Sequence, residues 1–421
     1  MRIAFLNPSG KLGGAETSLR EIMASIRTAQ PNWELWLVLG EDGPLSQIAR
    51  DGGVHVEVRP FPPSLRRLGG AGREGGIRGL CGAAAGSVQY TLQLSRLLRE
   101  IAPDLIHTNG FKMHLLGAWA CPRKTPLVWH IHDYVTSRRL MSRLLRISRG
   151  RCTMAVVNSK SVARDLATVL PDLPSVPVYN AIDLTRFSPE GNKLDLDALA
   201  GLPAPPPATI RVGLISTFAR WKGHKVFMEA LSRLPADIPI RGYIIGGPIY
   251  QTAGSQWSKA ELQQEADRLG LADRLGFTGF VDDPAPALRA LDIVVHTSTN
   301  PEPFGMVIIE GMAAGKAVVV SEAGGALELF ENGENALGHP PGDAETLAAQ
   351  IHRLASDAEL RRRLGRAGRA TAERSFNNTR LGSELAAVYG LATQRIQSGT
   401  GERRPSDSGA GLAAADRTLP R

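Results

Sequence analysis

Two glutamates eight positions apart, Glu302 and Glu310, bracket a segment that turns apolar and helical from Phe304 onward. If a helix begins near Phe304, the N–H groups of Phe304, Gly305 and Met306, with Val307 next, lack partners inside it. They lie at the positive end of its dipole, where a diphosphate binds. Glu310 follows Phe304 by six residues, roughly 9 Å of helical rise, which suits the span from a phosphate to a ribose whose hydroxyls a carboxylate accepts. Glu302, on the loop, would accept charge-assisted hydrogen bonds from sugar hydroxyls. Together these features read as a site for a nucleotide sugar. The same residues also fit a solvated loop Glu302 and a surface helix Glu310, so the choice rests on other segments.

The elements that must position these groups are legible nearby. Ile293-Val294-Val295 has the apolar run of a buried parallel strand, which puts Glu302 on a loop at a carboxyl edge, where ligands of open α/β sheets bind. A second strand, Ile210 to Ile215, runs into Ser216-Thr217-Phe218-Ala219-Arg220-Trp221-Lys222-Gly223-His224-Lys225 before a helical pattern from Val226 to Leu234. Arg220 and Lys222 therefore share one strand-to-helix turn. A planar guanidinium and a compact ammonium together can neutralise the two phosphates of a leaving nucleoside diphosphate, and Gly223 lets the backbone come close. Solvated loop cations are the plainer reading of the pair taken alone.

With Phe277-Thr278-Gly279-Phe280, Asp292 to His296, Gly315-Lys316-Ala317-Val318-Val319, Gly324-Gly325 and Glu328, these motifs make the chain resemble the retaining GT-B glycosyltransferases of family 4 over most of its length. In that family a C-terminal domain holds the nucleotide sugar through a basic pair and a Glu-x7-Glu motif. Lys222-Gly223 matches the family's basic turn closely, while Arg220 stands nearer the lysine than is usual. The resemblance implies an α/β fold of GT-B type, two Rossmann-like doubly wound domains facing across a cleft. It also implies transfer of a sugar to an acceptor hydroxyl with retention of configuration and without a metal, no enzyme nucleophile being assigned. Another GT-B enzyme, such as an epimerase or phosphorylase, and a non-catalytic nucleotide-sugar-binding protein are the alternatives.

The N-terminal half fits the opposite wall. Ile3-Ala4-Phe5-Leu6 reads as a first strand and Ala15 to Ile26 as the next helix. Gly13-Gly14 stands at the junction, where backbone amides can approach a phosphate. Gly10 to Gly14 has neither G-x-G-x-x-G nor Walker spacing, and a plain structural turn is its simpler reading. By resemblance Gly13 and Gly14 face the donor diphosphate and Glu16 the acceptor. Pro126 to Asp133 reads as a strand ending in a polar cluster, and a histidine there is as often packed as functional. By resemblance His132 takes the active-site position near the sugar's primary hydroxyl or the acceptor, together with Glu302, with His130 as its buried neighbour. Asn158, in Val156-Val157-Asn158-Ser159, and Asn180, in Tyr179-Asn180-Ala181-Ile182-Asp183, match acceptor-side segments, with Ala181 in place of the family's glycine.

At 421 residues and 43% apolar, the chain is ample for two cores. The expected division is residues 1–190, a Pro-rich linker at 191–209, a second domain at 210–375, a helix at 376–396 returning to the first domain, and a disordered tail at 397–421. No leader pattern and no apolar run near 18 residues are present, so a cytoplasmic protein is expected. Cys81, Cys121 and Cys152 are far apart and suggest neither a disulfide framework nor zinc. Asp195-Leu196-Asp197 imitates a metal-binding Asp-x-Asp, but in the linker region it reads as a solvated helix start. No cofactor is expected.

Residues 1–190 hold 24 Lys and Arg against 15 Asp and Glu, while the remainder holds 25 against 26. Arg138, Arg139, Arg143, Arg146, Arg149 and Arg151 crowd a segment whose Leu140, Met141, Leu144, Leu145 and Ile147 form an apolar stripe, and a second basic run spans Arg66 to Arg78. This pattern suggests an anionic membrane surface or a lipid-linked acceptor, with a solvated helix packed on the domain as the plainer alternative. Aromatic content of 5% without basic-aromatic interleaving argues against nucleic acid.

Overall fold

A computed structural model describes residues 1–66, 77–235, 237–248 and 255–399. Most of the basic run from Arg66 to Arg78, the side chain of Cys81 and the tail from residue 400 lie outside the described residues. Cys121 and Cys152 are buried and unpaired.

The first sheet contains β1 (Arg2–Asn7), β2 (Glu34–Leu39), β3 (His55–Val58), β4 (Leu105–Asn109), β5 (Leu127–Ile131), β6 (Met154–Val157) and β7 (Ser175–Pro177), in the order β3-β2-β1-β4-β5-β6-β7. The second contains β8 (Ile210–Ile215), β9 (Ile240–Ile245), β10 (Leu275–Gly279), β11 (Ile293–His296), β12 (Ala317–Ser321) and β13 (Leu337–His339), in the order β10-β9-β8-β11-β12-β13. Every pairing in both is parallel. Helices cover both faces of such sheets, so strands like Ala317-Val318-Val319-Val320 are buried throughout and show no polar alternation.

Strand order reverses between β1 and β4 and again between β8 and β11. The ends of these four strands and the loops after them carry Asn7 to Gly13, Asn109, the Ser216 to Gly223 turn and Thr297 to Gly305. Open α/β sheets leave a crevice at such reversals, and this places nearly all the expected donor residues at two crevices.

The chain passes between lobes earlier than the Pro-rich stretch. Val178 and Ala181 pack in the first lobe's core, whereas Ile182 and Phe187 pack in the second's. It returns beside this point: Ile182 N–H donates to the Phe376 carbonyl, and Asn378 N–H donates to that of Ile182. The helix Thr379–Gly399 then lays Leu381, Leu385, Val388, Tyr389 and Ala392 into the first lobe.

Residues 191–209 are bound to the second lobe rather than acting as a free spacer. Asp195 caps the short helix Leu196–Ala200 through the Ala198 N–H. Asp197, expected to be solvated, is buried: its carboxylate takes Arg241 at 2.6 Å, Arg211 at 3.0 Å and the Tyr243 hydroxyl at 2.6 Å. An acidic side chain entering this lobe needs such partners, and they hold the segment down.

Candidate functional site

Three devices bring the C-terminal groups together. The basic turn is a 3-10 turn, Arg220–Lys222, ended by Gly223 at φ +75°, where a Cβ would meet the Thr297 carbonyl oxygen at 1.8 Å. Only glycine permits that approach. The Thr297 hydroxyl donates to the Lys222 carbonyl at 2.8 Å and Thr299 N–H to that of Trp221 at 2.7 Å, so the turn is bolted onto the loop after β11.

The helix after this loop runs Met306–Ala313, starting two residues later than the sequence suggested. Phe304 is a core wedge, 2% exposed, packed against the rings of Tyr179 and Phe376, and Gly305 adopts φ +102° before the helix. The N–H groups without helical partners are therefore those of Met306 and Val307, and the Phe304 amide is not part of the helix tip.

Glu302 does not stand open on its loop. It is buried and accepts from Lys222 Nζ at 2.7 Å and Ser298 Oγ at 2.7 Å, with His296 Nε2 at 3.2 Å. Burial alone would raise its carboxyl; Lys222 and His296 outweigh that and hold it far below the usual range. Glu310 is the opposite case. Its carboxylate has no hydrogen-bond partner among the described residues, and although part of its surface meets solvent, the surrounding protein pushes it up to about 7 against the pull of Arg186 and Arg20.

Arg220 is not aimed with Lys222. Its guanidinium lies over the Trp257 ring at 3.8 Å and pairs with Glu261 at 3.2 Å. Residues of a 3-10 turn diverge by about 120° each, so two cations two positions apart face different ways.

On the first lobe, Gly13 precedes the helix Gly14–Ala29, and a Cβ at Gly14 would meet open space. Asn7 Nδ2 donates to the Ser9 carbonyl and, at 3.3 Å, to Glu16, whose carboxyl burial raises. Asn7 Oδ1 accepts from Asn109 Nδ2 at 2.9 Å, so Asn109 presents its oxygen to His132 Nε2 at 2.5 Å. His132 must therefore carry its proton on Nε2. Burial lowers it to about 4, so it is neutral at pH 7 with Nδ1 as a bare acceptor.

Asn158, 3% exposed, supports this arrangement by donating to the His132 carbonyl at 3.1 Å rather than facing an acceptor. Asn180 is likewise inside, accepting from Ser18 at 2.9 Å while its carbonyl takes Arg380.

Two contacts across the cleft were not anticipated from sequence. Tyr134 donates to the Glu302 carbonyl at 3.1 Å, and Glu328 accepts from the amides of Lys160 and Ser161 at 2.8 and 2.7 Å. Tyr134 directly follows the His132-Asp133 pair, which is the one signal that marked it. Beside the Lys222 turn, Leu12 of the first lobe meets Phe218, Gly246, Gly247, Phe277 and Phe280 of the second around an apolar cavity of about 360 Å³. A larger cavity, about 560 Å³, lies at the far ends of the strands, behind Asp195 and Asp197 and away from these loops.

The Arg-rich stripe divides. In the helix Arg139–Ser148, Leu145 is core and Met141 and Leu144 are half-buried, whereas Leu140 and Ile147 are 67% and 71% exposed. Trp119, 66% exposed, joins them by donating to Ser148.

Residues 206–371 match the model for glycosyl transferases group 1, and residues 12–186 match that for glycosyltransferase family 4. The chain is 33% identical over 299 residues to the lipopolysaccharide core biosynthesis glycosyltransferase LpsD of Rhizobium meliloti, covering 68% of this chain and 74% of that protein. It is 32% identical over 316 residues to a D-inositol 3-phosphate glycosyltransferase of Streptomyces bingchenggensis, covering 69% and 67%. Anabaena HepE, crystallised with UDP, superposes with a TM-score of 0.75 at 28% identity over 93% of this chain and 100% of its own. Its complex with UDP-glucose does so at 0.75 and 26%.

Proposed function

The chain belongs to the group 1 glycosyl transferases of family 4, and from that premise we propose that it moves a hexose from a nucleotide diphosphate donor to an acceptor hydroxyl, with retention of configuration and without a metal. The observation that carries this is the Lys222 ammonium, held 2.7 Å from Glu302 on a turn bolted to the loop that leads into the Met306 and Val307 amides.

The donor diphosphate lies between those amides and Lys222, taking the ammonium that Glu302 now holds. Glu302, still anchored by Ser298 and His296, is released to accept sugar hydroxyls, and Glu310 accepts those of the ribose. The exposed Phe280 ring and the glycine edges at Gly246 and Gly247 give the base a flat apolar slot. As the bond to the leaving diphosphate breaks, its charge is met by Lys222 and the helix tip. The acceptor hydroxyl then enters on the same face as the leaving group, through an oxocarbenium-like state, and gives its proton to the departing diphosphate oxygen. His132 Nδ1 accepts a hydroxyl hydrogen from the sugar. HepE makes UDP-glucose the first donor to test.

The acceptor is a glycan or a lipid-linked sugar at an anionic membrane face. Residues 105–164 hold eleven Lys and Arg against one acid, Asp133, which Arg138 pairs at 3.1 Å. Exposed Trp119, Leu140 and Ile147 sit among these cations as an interfacial patch does. No described helix is long and apolar enough to cross a membrane.

Incubation with UDP-glucose and an acceptor panel, read by NMR of the anomeric proton with and without EDTA, tests the reading. An α-linked product insensitive to chelator is expected. Donor consumption without acceptor dependence, or a β-linked product, overturns it. Sedimentation with phosphatidylglycerol and with neutral phosphatidylcholine vesicles tests the patch, binding to the anionic vesicles alone being expected.

A further inference from the structure

We propose that Tyr389, which lies on the last described helix rather than on a cleft loop, is a positioning residue that fixes the ring of His132 through two intervening histidines. The inference rests on the reading of His132 as facing the reacting sugar.

Tyr389 is fully buried, and its hydroxyl lies 2.8 Å from Nδ1 of His107 on β4. His107 Nε2 lies 3.2 Å from Nδ1 of His130 on the neighbouring β5. The His130 ring packs on that of His132, with centroids 3.9 Å apart and planes inclined by 36°. Burial drives both inner imidazoles far below their usual range, so they are neutral.

The direction of the chain follows from its end. The phenol hydrogen has one acceptor among the described residues, His107 Nδ1, so His107 carries its own hydrogen on Nε2 and donates it to His130 Nδ1. His130 must then be protonated on Nε2, an atom sealed from solvent with no partner. Turning the His130 ring over would set a carbon against the His107 N–H and lose that bond, so the ring is held in one of its two flip states. His132 is thus held between the Asn109 oxygen on one side and a ring that cannot turn on the other, and its Nδ1 points where both dictate.

Core stability does not account for this arrangement. Three buried polar rings that leave one N–H unpaired are a net penalty against an apolar filling of the same volume. What they supply is a single orientation, passed to His132 from the helix that returns from the other lobe.

Tyr389→Phe keeps the ring and deletes the hydroxyl. We expect kcat with UDP-glucose to fall about 10- to 100-fold while donor KM stays within about twofold, since Lys222, Met306 and Glu310 stand on the other lobe. Nitrogen-proton spectra of the histidine-labelled full chain should show His107 and His130 as Nε2–H tautomers in the wild type, and His130 leaving that form in the variant. An unchanged kcat, a fall shared equally by kcat and 1/KM, or unmoved His130 signals overturns the proposal. Should the variant not fold, the wild-type spectrum decides, and an Nδ1–H tautomer at either histidine refutes it. A wild-type chain with no transfer to any acceptor would sink the function proposed above, and the tautomers would still test the bonded chain.

Discussion

The two walls of the cleft rest on the same parallel-sheet topology, with loops at matching strand reversals, yet they are furnished differently. The C-terminal wall is ionic: Lys222, Glu302 and the helix tip are charges or partial charges, and the two full charges already hold each other at 2.7 Å. The N-terminal wall is neutral: His132, Asn109 and Asn7 form a line of hydrogen bonds whose histidine burial keeps uncharged. On the function proposed above, one wall would neutralise a leaving anion and the other would orient hydroxyls through uncharged groups. A cleft with cations on both sides would hold the released diphosphate and slow its departure.

Removing the cation should break the ionic wall most severely. Lys222→Ala is expected to lower kcat/KM about 1000-fold, the upper range for loss of one donor to a developing anion. It should also lower the melting temperature, because Glu302 is left buried and unpaired. Adding Glu302→Gln should restore the melting temperature and none of the activity, and recovery of both would show that the pair is structural.

The neutral wall is tested by His132→Ala. A fall of about 100-fold in kcat, typical of a positioned acid–base group, with donor KM nearly constant, would mark it as orienting rather than binding. A rise in donor KM alone would erase the distinction between the walls.

Glu310 sharpens the comparison through pH. Its folded carboxyl is raised from 4.5 to about 7, so below pH 4.5 both folded and unfolded forms are protonated and nothing is lost. Between 4.5 and 7 the unfolded chain ionises first and stability falls, and above 7 the loss is constant. Glu310→Gln should therefore stabilise the protein at pH 8 and leave it unchanged near pH 4, while donor affinity drops about 10- to 100-fold with the charged hydrogen bonds. Melting curves at the two pH values and UDP titrations read both effects. Wild-type donor affinity should rise as pH increases through about 7.

The smallest effect belongs to Arg220→Ala. With its guanidinium on Trp257 and Glu261, donor affinity should change less than about threefold, as for other exposed pairs. A 100-fold loss would mean that it swings to the phosphates and that the ionic wall has two full cations.

Much of this was legible in the sequence where local pattern suffices. Apolar runs gave the parallel strands, Lys222-Gly223 and the Glu302 to Glu310 spacing marked the second lobe's candidate site, and Leu381 to Ile396 read as the returning helix. What escaped depends on distant partners. Glu302 and Lys222 are 80 residues apart and meet only because β8 and β11 are neighbours. Phe304 looks like a helix residue, because an apolar side chain that wedges a core is indistinguishable in sequence from one that opens a helix. Asp197 reads as solvated until Arg211 and Arg241 are seen to enclose it. The last-helix tyrosine has no local motif at all.

The adjoining passages at Ile182 and Asn377 have a mechanical consequence. Because the two connections between the lobes are joined to each other by backbone hydrogen bonds, they act as one pivot rather than two independent tethers. A swing of one lobe against the other would turn about this joined strip, whereas sliding would have to break its hydrogen bonds. Closure about that strip would carry Gly14 and His132 toward Lys222 along a single arc.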